Sequence, residues 1–224
     1  MNISVIHPSR HRPKEAVATA CKWRDNAGFV FEYILSLDND DKALPDYLKL
    51  FDNFGYTEKG CTYDNKSAIE AINKAAKVAI GDILVVISDD TDCPMGWDTL
   101  LLKELEGKTD FCAKVDDGIQ PTLVTMPIMD RVYYERYGYI YHPDYKHMFC
   151  DQELTAVALM TGKYIKLPLT FNHLHYTTGK TPKDALNLRN DATWQQGERL
   201  FNKRLETNFG IDNPVMPYSN IIWR

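Results

Sequence analysis

The chain has 224 residues, and its 26 lysines and arginines against 31 aspartates and glutamates give a formal net charge of −5. A hydrophobic fraction of 44% and a charged fraction of 25% are typical of a globular domain, which excludes intrinsic disorder, collagen-like repeats and disulfide-built miniproteins. The acidic balance also argues against non-specific binding to nucleic acids.

The first half of the chain alternates between strand-like and helix-like patterns. Apolar or β-branched runs predict strands over residues 3–6, 29–37 and 83–87, and the last of these is the pattern of a strand buried on both faces. Pro13 and Pro45 predict helix starts, and an apolar stripe over residues 68–79 predicts the clearest helix. Strands separated by helices predict an open α/β sheet.

Three polar loops follow these strands: HPSRHRPK, DNDD and SDDTD. Ligands of open α/β sheets bind beyond the carboxyl ends of the strands, so we expect the three loops to share one rim.

The second half is less regular. Its patterns predict strands over 111–115, 122–126 and 164–167 and helices over 151–161 and 184–206. These elements are expected to add mixed strands to the sheet and to cover one side of the site.

The cysteines and the apolar runs bear on location. Five cysteines are scattered without a C-x-x-C spacing, which is typical of reduced thiols in a cytoplasmic protein: Cys21, Cys61, Cys93, Cys112 and Cys150. The longest apolar run, residues 83–87, is too short to cross a bilayer, so we expect no membrane span.

An acidic cluster follows the third predicted strand directly. Ser88, Asp89, Asp90 and Asp92 could bind a hard divalent cation through oxygen, which would in turn hold a diphosphate. The same residue types also form turns and cap helices, here the helix expected near Trp97. The residues alone leave both interpretations open.

The acidic segment resembles the metal-binding D-x-D region of GT-A glycosyltransferases, particularly the large inverting family two. As in that family, a strand ends in an acidic cluster, and Pro94 follows Asp90 after three residues. The first aspartate of the family pattern would fall at Ile87 or Ser88 and is missing. The resemblance therefore implies that Asp90 binds the metal, with His175 and then His173 as further ligands, and that Asp89 faces the donor.

The resemblance extends upstream in the same order. The opening ISVIHPSRHRP is similar to the family's first strand and donor loop, and Asp38 stands where the family places an acidic residue against the nucleobase. Ile72 occupies the position at which many members carry an arginine. The residues that the resemblance assigns to the donor are Pro8, Arg10, Arg12, Asp38, Asn65, Asp89 and Lys180. Without it, Arg10, Arg12 and Asp38 would be interpreted as loop and turn residues.

Downstream, FCDQELTAVALMTGK is similar to the start of the helix that supplies the catalytic base in this family. The resemblance implies that Asp151 is the base, with Glu153 as the second candidate. Acidic residues at a helix start are also favoured by the helix dipole, so capping is the competing role for Asp151. For His173 and His175, the competing interpretation is a pair of partly buried strand histidines.

Aromatic residues are abundant in the second half. Tyrosines at 133, 134, 137, 139, 141 and 145, with Trp194 and Trp223, could stack on a sugar or base, although such residues more often fill a core. We expect at least one of them to line an acceptor pocket.

The patterns predict a single-domain α/β protein with an open mixed sheet flanked by helices, and the resemblance implies that this sheet has the GT-A fold. Residues 1–180 would form the catalytic domain, with the donor half at 1–98 and the acceptor half at 99–180, and 181–224 a helical extension packed on it. The implied function is transfer of a sugar, with inversion, from a nucleotide-sugar, first a UDP-sugar, to an acceptor hydroxyl, using Mn²⁺ or Mg²⁺.

The acceptor stays open among a glycan, a lipid carrier, a protein and a modified nucleic acid. Two alternative functions also stay open. A nucleotidyltransferase shares the sheet and acidic site but usually has a glycine-rich loop after the first strand, and HPSRHRP contains no glycine. A catalytically silent binding or assembly module would keep the sheet after losing the first aspartate.

Overall fold

Alternating strands and helices build an α/β domain, as the sequence predicts. The computed structural model describes residues 1–53 and 59–223, with the backbone alone for residues 53 and 59–61. The strands are β1 (Ile3–Pro8), β2 (Glu32–Asp38), β3 (Lys59–Tyr63), β4 (Ile83–Val86), β5 (Thr91–Asp92), β6 (Cys112–Asp116), β7 (Ile128–Asp130), β8 (Tyr164–Thr170) and β9 (Asn172–His173). The α-helices are α1 (Pro13–Asp25), α2 (Leu44–Asn53), α3 (Ala68–Val78), α4 (Trp97–Leu105), α5 (Arg131–Tyr137), α6 (Cys150–Met160), α7 (Ala185–Asp191) and α8 (Trp194–Leu205).

Seven of the described strands form one mixed sheet in the order β3-β2-β1-β4-β7-β6-β8. Strands β1 to β4 run parallel, β7 pairs antiparallel with β4 and β6, and β8 pairs parallel with β6. The carboxyl ends of β1, β2 and β4 therefore meet at one edge, which confirms the predicted common rim for their loops. The short strands β5 and β9 pair antiparallel in a separate ladder.

The core lies on both faces of the sheet. Alternate residues of the parallel strands point to opposite sides, so Ile6 packs with α3 on one face and Val5 packs against α1 and α4 on the other. The second face is centred on Trp23 and Trp97, whose ring centroids lie 4.8 Å apart. Both indole side chains are fully buried.

The predicted strands differ from the observed ones in three places. The strand predicted over 29–37 begins only at Glu32, because the backbone amides of Gly28 and Phe29 donate to the Asp98 carboxylate, at 2.8 and 2.7 Å, instead of joining the sheet. Strand β3 was not predicted. The prediction of a strand over 122–126 is wrong: the Val124 amide donates to Thr155 Oγ1, at 2.9 Å, and β7 follows as the antiparallel strand.

The single helix predicted over 184–206 is also wrong, because the structure has α7 and α8 with a break at Thr193. The Thr193 hydroxyl donates to the Asn190 carbonyl at 2.7 Å and accepts from the Met148 amide at 3.2 Å. The break therefore ties the start of α8 to the segment that precedes α6.

Two other sequence expectations concern cysteines and membranes. Cys21, Cys93, Cys112 and Cys150 are free thiols, while the side chain of Cys61 lies outside the described ones. Within residues 1–53 and 59–223, no helix has the length and apolar character needed to cross a membrane.

Candidate active site

A cleft of about 940 Å³ lies at the carboxyl ends of β1, β2 and β4, and α6, α7 and the segment after β6 form its other walls. This volume suits a nucleotide-sized ligand. Most of the site residues predicted from the sequence line it: Pro8, Arg10, Arg12, Asp38, Asp89, Asp90, Asp151, His173 and His175.

Asp90 and His173 meet because β5 and β9 pair directly beside them. Thr91 is opposite His173 in this ladder, and the Leu174 amide donates to the Asp90 carbonyl at 2.7 Å. His173 Nε2 consequently lies 3.3 Å from Asp90 Oδ1, and the Ser88 hydroxyl donates to the same oxygen at 2.6 Å. Burial acts to raise the pKa of Asp90, but the contact with the His173 imidazole and the hydrogen bond from Ser88 outweigh it and hold that pKa well below its usual range.

The Asp90 and His173 pair fits two ligands of one divalent cation. Two ligand atoms at right angles, each about 2.1 Å from a metal ion, lie about 3.0 Å apart, close to the 3.3 Å between Asp90 Oδ1 and His173 Nε2. No group of three or more histidine, cysteine, aspartate or glutamate side chains in the described parts of the chain could hold a metal. A cation here would therefore need ligands from water or a bound substrate.

His175 lies next to this pair but outside β9. It caps the short 3₁₀ turn Tyr176–Thr178, and its Nδ1 lies 2.9 Å from Thr177 Oγ1. Its ring centroid is 5.1 Å from that of His173. Burial lowers the pKa of His175, which favours the neutral imidazole that can bind a metal.

The end of the cleft that is predicted to bind the nucleobase contains Asp38, the last residue of β2. Arg10 Nη1 donates to Asp38 Oδ2 and to Asp40 Oδ1, both at 2.5 Å, and Asn65 Nδ2 donates to Asp38 Oδ1 at 2.8 Å. Asn65 thus supports Asp38 from behind and does not line the cleft. The structure brings three residues that the sequence predicted separately into one cluster.

Arg12 connects the donor loop to α7. Its Nε donates to Asp184 Oδ2 at 2.7 Å and its Nη2 to Asn187 Oδ1 at 3.2 Å. Asp184 caps α7, and Asn187 completes a capping box with it. Arg12 therefore fixes α7 over the cleft and places a positive charge beside Asp89 and Asp90.

Asp151 lines the cleft in the first turn of α6. The helix begins after Phe149, which has a left-handed backbone conformation, and no side chain caps it, so Asp151 is not the predicted cap. The Asp151 carboxylate accepts from the Gln152 amide at 2.9 Å. Burial raises its pKa to about 6, and the nearby Asp117 adds to this increase.

Glu153 and Lys180 lie away from this cleft. Glu153 is buried on the opposite side of α6, where it accepts from Arg204 Nε at 2.8 Å and from the Tyr145 hydroxyl at 2.7 Å. The ion pair between Glu153 and Arg204 links α6 to α8. Of the two predicted bases, Asp151 is therefore the one that faces the cleft. Lys180 is exposed on the loop before α7.

Neither a protein-family profile nor a curated protein sequence matches this chain. Solved structures of similar shape exist. TarS 1-349 from S. aureus superposes with a TM-score of 0.62 at 13% identity, over 96% of this chain and 76% of that one. The mannosyltransferase PcManGT from Pyrobaculum calidifontis, in complex with GDP-Man and Mn²⁺, gives 0.61 at 14% identity, over 97% and 77%. GalNAc-T7 with UDP, GalNAc and Mn²⁺ gives 0.60 at 13% identity, over 77% and 44%.

The chain has the GT-A fold. It spans 36% of the length of a longer TarS chain, over 77% of its own residues. At these identities the likeness establishes the fold alone.

A histidine behind the cleft was not among the predicted site residues. His7 on β1 is fully buried, and its Nε2 lies 2.9 Å from Asp89 Oδ1 while its Nδ1 lies 2.5 Å from the Tyr33 hydroxyl. The Thr19 hydroxyl donates to the Asp89 carbonyl at 2.7 Å. These contacts fix Asp89 beside Asp90. A histidine in an apolar strand was the available signal, because a buried imidazole needs a polar partner.

Proposed function

We propose that the chain is a metal-dependent glycosyltransferase that moves a sugar from a nucleotide-sugar, first a UDP-sugar, to an acceptor hydroxyl with inversion. The observation that carries this proposal is one cleft of a GT-A fold that contains both the Asp90 and His173 pair and Asp151. The complexes of PcManGT with GDP-Man and Mn²⁺ and of GalNAc-T7 with UDP and Mn²⁺ support the choice of ligands.

In the proposed reaction, the acceptor oxygen attacks the anomeric carbon while the bond from that carbon to the diphosphate oxygen breaks. The acceptor proton passes to a carboxylate oxygen of Asp151, and a single displacement inverts the anomeric centre. A carboxyl with a pKa of about 6 is a stronger base than an ordinary aspartate and is still ionised at neutral pH.

The donor would lie along the rim formed by β1, β2 and β4. Asp90 and His173 would hold Mn²⁺ or Mg²⁺, and the cation, when bound, would stabilise the charge on the departing diphosphate. Arg12 would contribute positive charge at the phosphates, and Asp38, held by Arg10 and Asn65, would face the nucleobase. Pro8 and Asp89 complete the proposed donor set within the cleft, and Lys180, on the loop before α7, stays a prediction outside it.

The proposed division of the chain follows this arrangement. Residues 1–98 would form the donor half, 99–180 the acceptor half, and 181–224 a helical extension. The packing of Phe201 and Arg204 of α8 against the core and α6 supports an extension that belongs to the same domain.

Calorimetric titration of UDP and of GDP, with and without Mn²⁺, tests the donor site. We expect Mn²⁺ to strengthen binding of one nucleotide at least about tenfold, a change of about 1.4 kcal/mol, and Asp90→Asn to remove that increase. Asp92→Asn is the matched control, because Asp92 follows in the same acidic segment but pairs with Lys22 and does not line the cleft. Absence of nucleotide binding in every arm would contradict the proposal and favour a silent binding module.

A further inference from the structure

The exposed tryptophans of the chain lie in the cleft. Trp194 is 54% exposed and Trp223 is 37% exposed, and both line the cleft, whereas Trp23 and Trp97 are fully buried in the core. A large apolar side chain left in solvent loses the benefit of burial, so exposure of both at one cleft indicates a surface that a ligand covers.

The tyrosines predicted as stacking candidates together with these tryptophans do not share this position. Tyr133 and Tyr145 are buried in the core, and Tyr137 and Tyr139 face a separate cavity of about 20 Å³. Tyr141 borders the cleft but is itself buried. Trp194 and Trp223 are therefore the members of that aromatic group able to present a ring face.

Trp194 is held beside the candidate base. Its ring packs edge-to-face on Phe149, with centroids 5.0 Å apart and an interplanar angle of 71°. Phe149 stands two residues before Asp151, and the contact between the Met148 amide and Thr193 Oγ1, at 3.2 Å, fixes the start of α8 on this segment. The position of the indole is thus set before any ligand arrives.

We infer that Trp194, with Trp223, forms the acceptor subsite of the cleft and that the acceptor is a neutral carbohydrate. This inference rests on the proposed function. A pyranose ring has an apolar C–H face that packs on an indole and a rim of hydroxyls that need polar partners. Gln152, Asn190 and Asp191 line the same cleft and supply hydrogen-bonding groups.

The charges of the cleft and of the whole chain favour a neutral acceptor over a polyanion. Asp117, Asp151 and Asp191 line the part of the cleft outside the donor rim, where Lys146 and Arg189 are the basic lining residues. Asp117 pairs with Lys114 at 3.4 Å and Asp191 pairs with Lys183 at 2.5 Å, so this part of the cleft has no large excess of either charge. The net charge of −5 gives no long-range attraction for a phosphate-rich acceptor. An uncharged sugar needs no such attraction.

Saturation-transfer NMR on the full chain tests the inference with neutral tetrasaccharides of glucose, mannose, galactose and N-acetylglucosamine at millimolar concentration. Short RNA, peptide and phospholipid micelles serve as the other acceptor classes. We expect at least one tetrasaccharide to receive saturation on its ring C–H protons. Trp194→Ala should weaken its binding about tenfold, or about 1.4 kcal/mol, and Trp194→Phe by less than about threefold, because a phenyl ring still stacks.

Phe29→Ala is the matched control, because Phe29 is 63% exposed but does not line the cleft. Binding of no tetrasaccharide, or saccharide binding unchanged in both Trp194→Ala and Trp223→Ala, would overturn the inference. Calorimetry of UDP with Mn²⁺ on the same variants separates the two proposals. Saccharide binding that depends on Trp194 in a chain that binds no nucleotide would refute the proposed function and leave the subsite standing.

Discussion

Replacing Asp151 with asparagine should impair transfer and stabilise the fold at the same time. The substitution keeps the size of the side chain and removes its charge. If Asp151 is the base, Asp151→Asn should lower turnover at least about 100-fold. The opposite effect on stability follows from the desolvation of the carboxylate in the cleft, which raises its pKa to about 6.

The size of the stability effect follows from linkage between proton binding and folding. Raising the pKa of this aspartate from 3.8 to about 6 lowers the unfolding free energy of the chain with an ionised Asp151 by about 3 kcal/mol. Each tenfold change in the acid dissociation constant is worth about 1.36 kcal/mol. The folded chain holds this proton more tightly than the unfolded chain does. The unfolding free energy of the wild type therefore falls as pH rises from about 4 to about 6 and stays lowered above that range.

Asparagine carries no such cost. Asp151→Asn should accordingly match the wild type within about 0.5 kcal/mol near pH 4 and exceed it by about 3 kcal/mol near pH 8, or by about 6–12 °C in Tm. Urea unfolding at both pH values measures the difference. Asp144→Asn is the control, because this carboxylate is 68% exposed, and its removal should change stability by less than about 0.5 kcal/mol at either pH.

A stability difference between Asp151→Asn and the wild type that is the same at both pH values would refute the linkage argument. The transfer rate gives an independent check. With Asp151 as base, kcat/KM should rise with pH through about 6 and then level off. A rise centred near 4 would show that the reacting carboxyl has an ordinary pKa.

Two further substitutions test how α8 is attached, and urea unfolding measures both. Arg204→Met leaves Glu153 buried without its cation and should lower the unfolding free energy by about 3 kcal/mol. Arg199→Met, on the exposed side of α8, is the control and should lower it by less than about 0.5 kcal/mol. Equal losses in the two variants would contradict a stabilising ion pair between Arg204 and Glu153. A Gly→Ala substitution normally stabilises a helix by about 1 kcal/mol. In Gly197→Ala, however, the new Cβ would lie 2.3 Å from the Met148 carbonyl oxygen, so we expect the unfolding free energy to fall by about 1–3 kcal/mol. An increase in the unfolding free energy would contradict this packing.

Elements with strong local patterns were predictable from the sequence. The apolar run at 83–87 gave β4, and the stripe from 68 to 79 gave α3, because burial on two faces and on one helical face leave different periodicities. Polar β3 has no such pattern. The stretch 122–126 has strand-like residues, yet the Val124 amide donates to Thr155 and the Thr125 hydroxyl donates to Asp117. No local periodicity encodes these contacts.

The candidate site shows the same limit. The order of the motifs identified Asp90, Asp151 and His173 as candidates, but not their spacing, because the pairing of β5 with β9 joins segments that lie about eighty residues apart. Contacts of still larger separation, such as Arg12 with Asp184, are set by the packing of α7 on the donor loop. The role of His7 depends likewise on Asp89, a residue on a different strand end.

The opposite environments of two aspartates give the clearest argument for how the cleft divides its tasks. Asp90 contacts the His173 imidazole and accepts a hydrogen bond from Ser88, which together hold its pKa well below its usual range despite burial, so it stays ionised and suits a cation. Asp151 is desolvated and accepts a hydrogen bond from the Gln152 backbone amide. Its pKa rises to about 6, so it can accept and release a proton near neutrality. If the two aspartates exchanged roles, Asp90 would be a weak base, and at Asp151 a proton would compete with the metal ion for the carboxylate. The proposed assignment of metal site and base is therefore the one that the two environments favour.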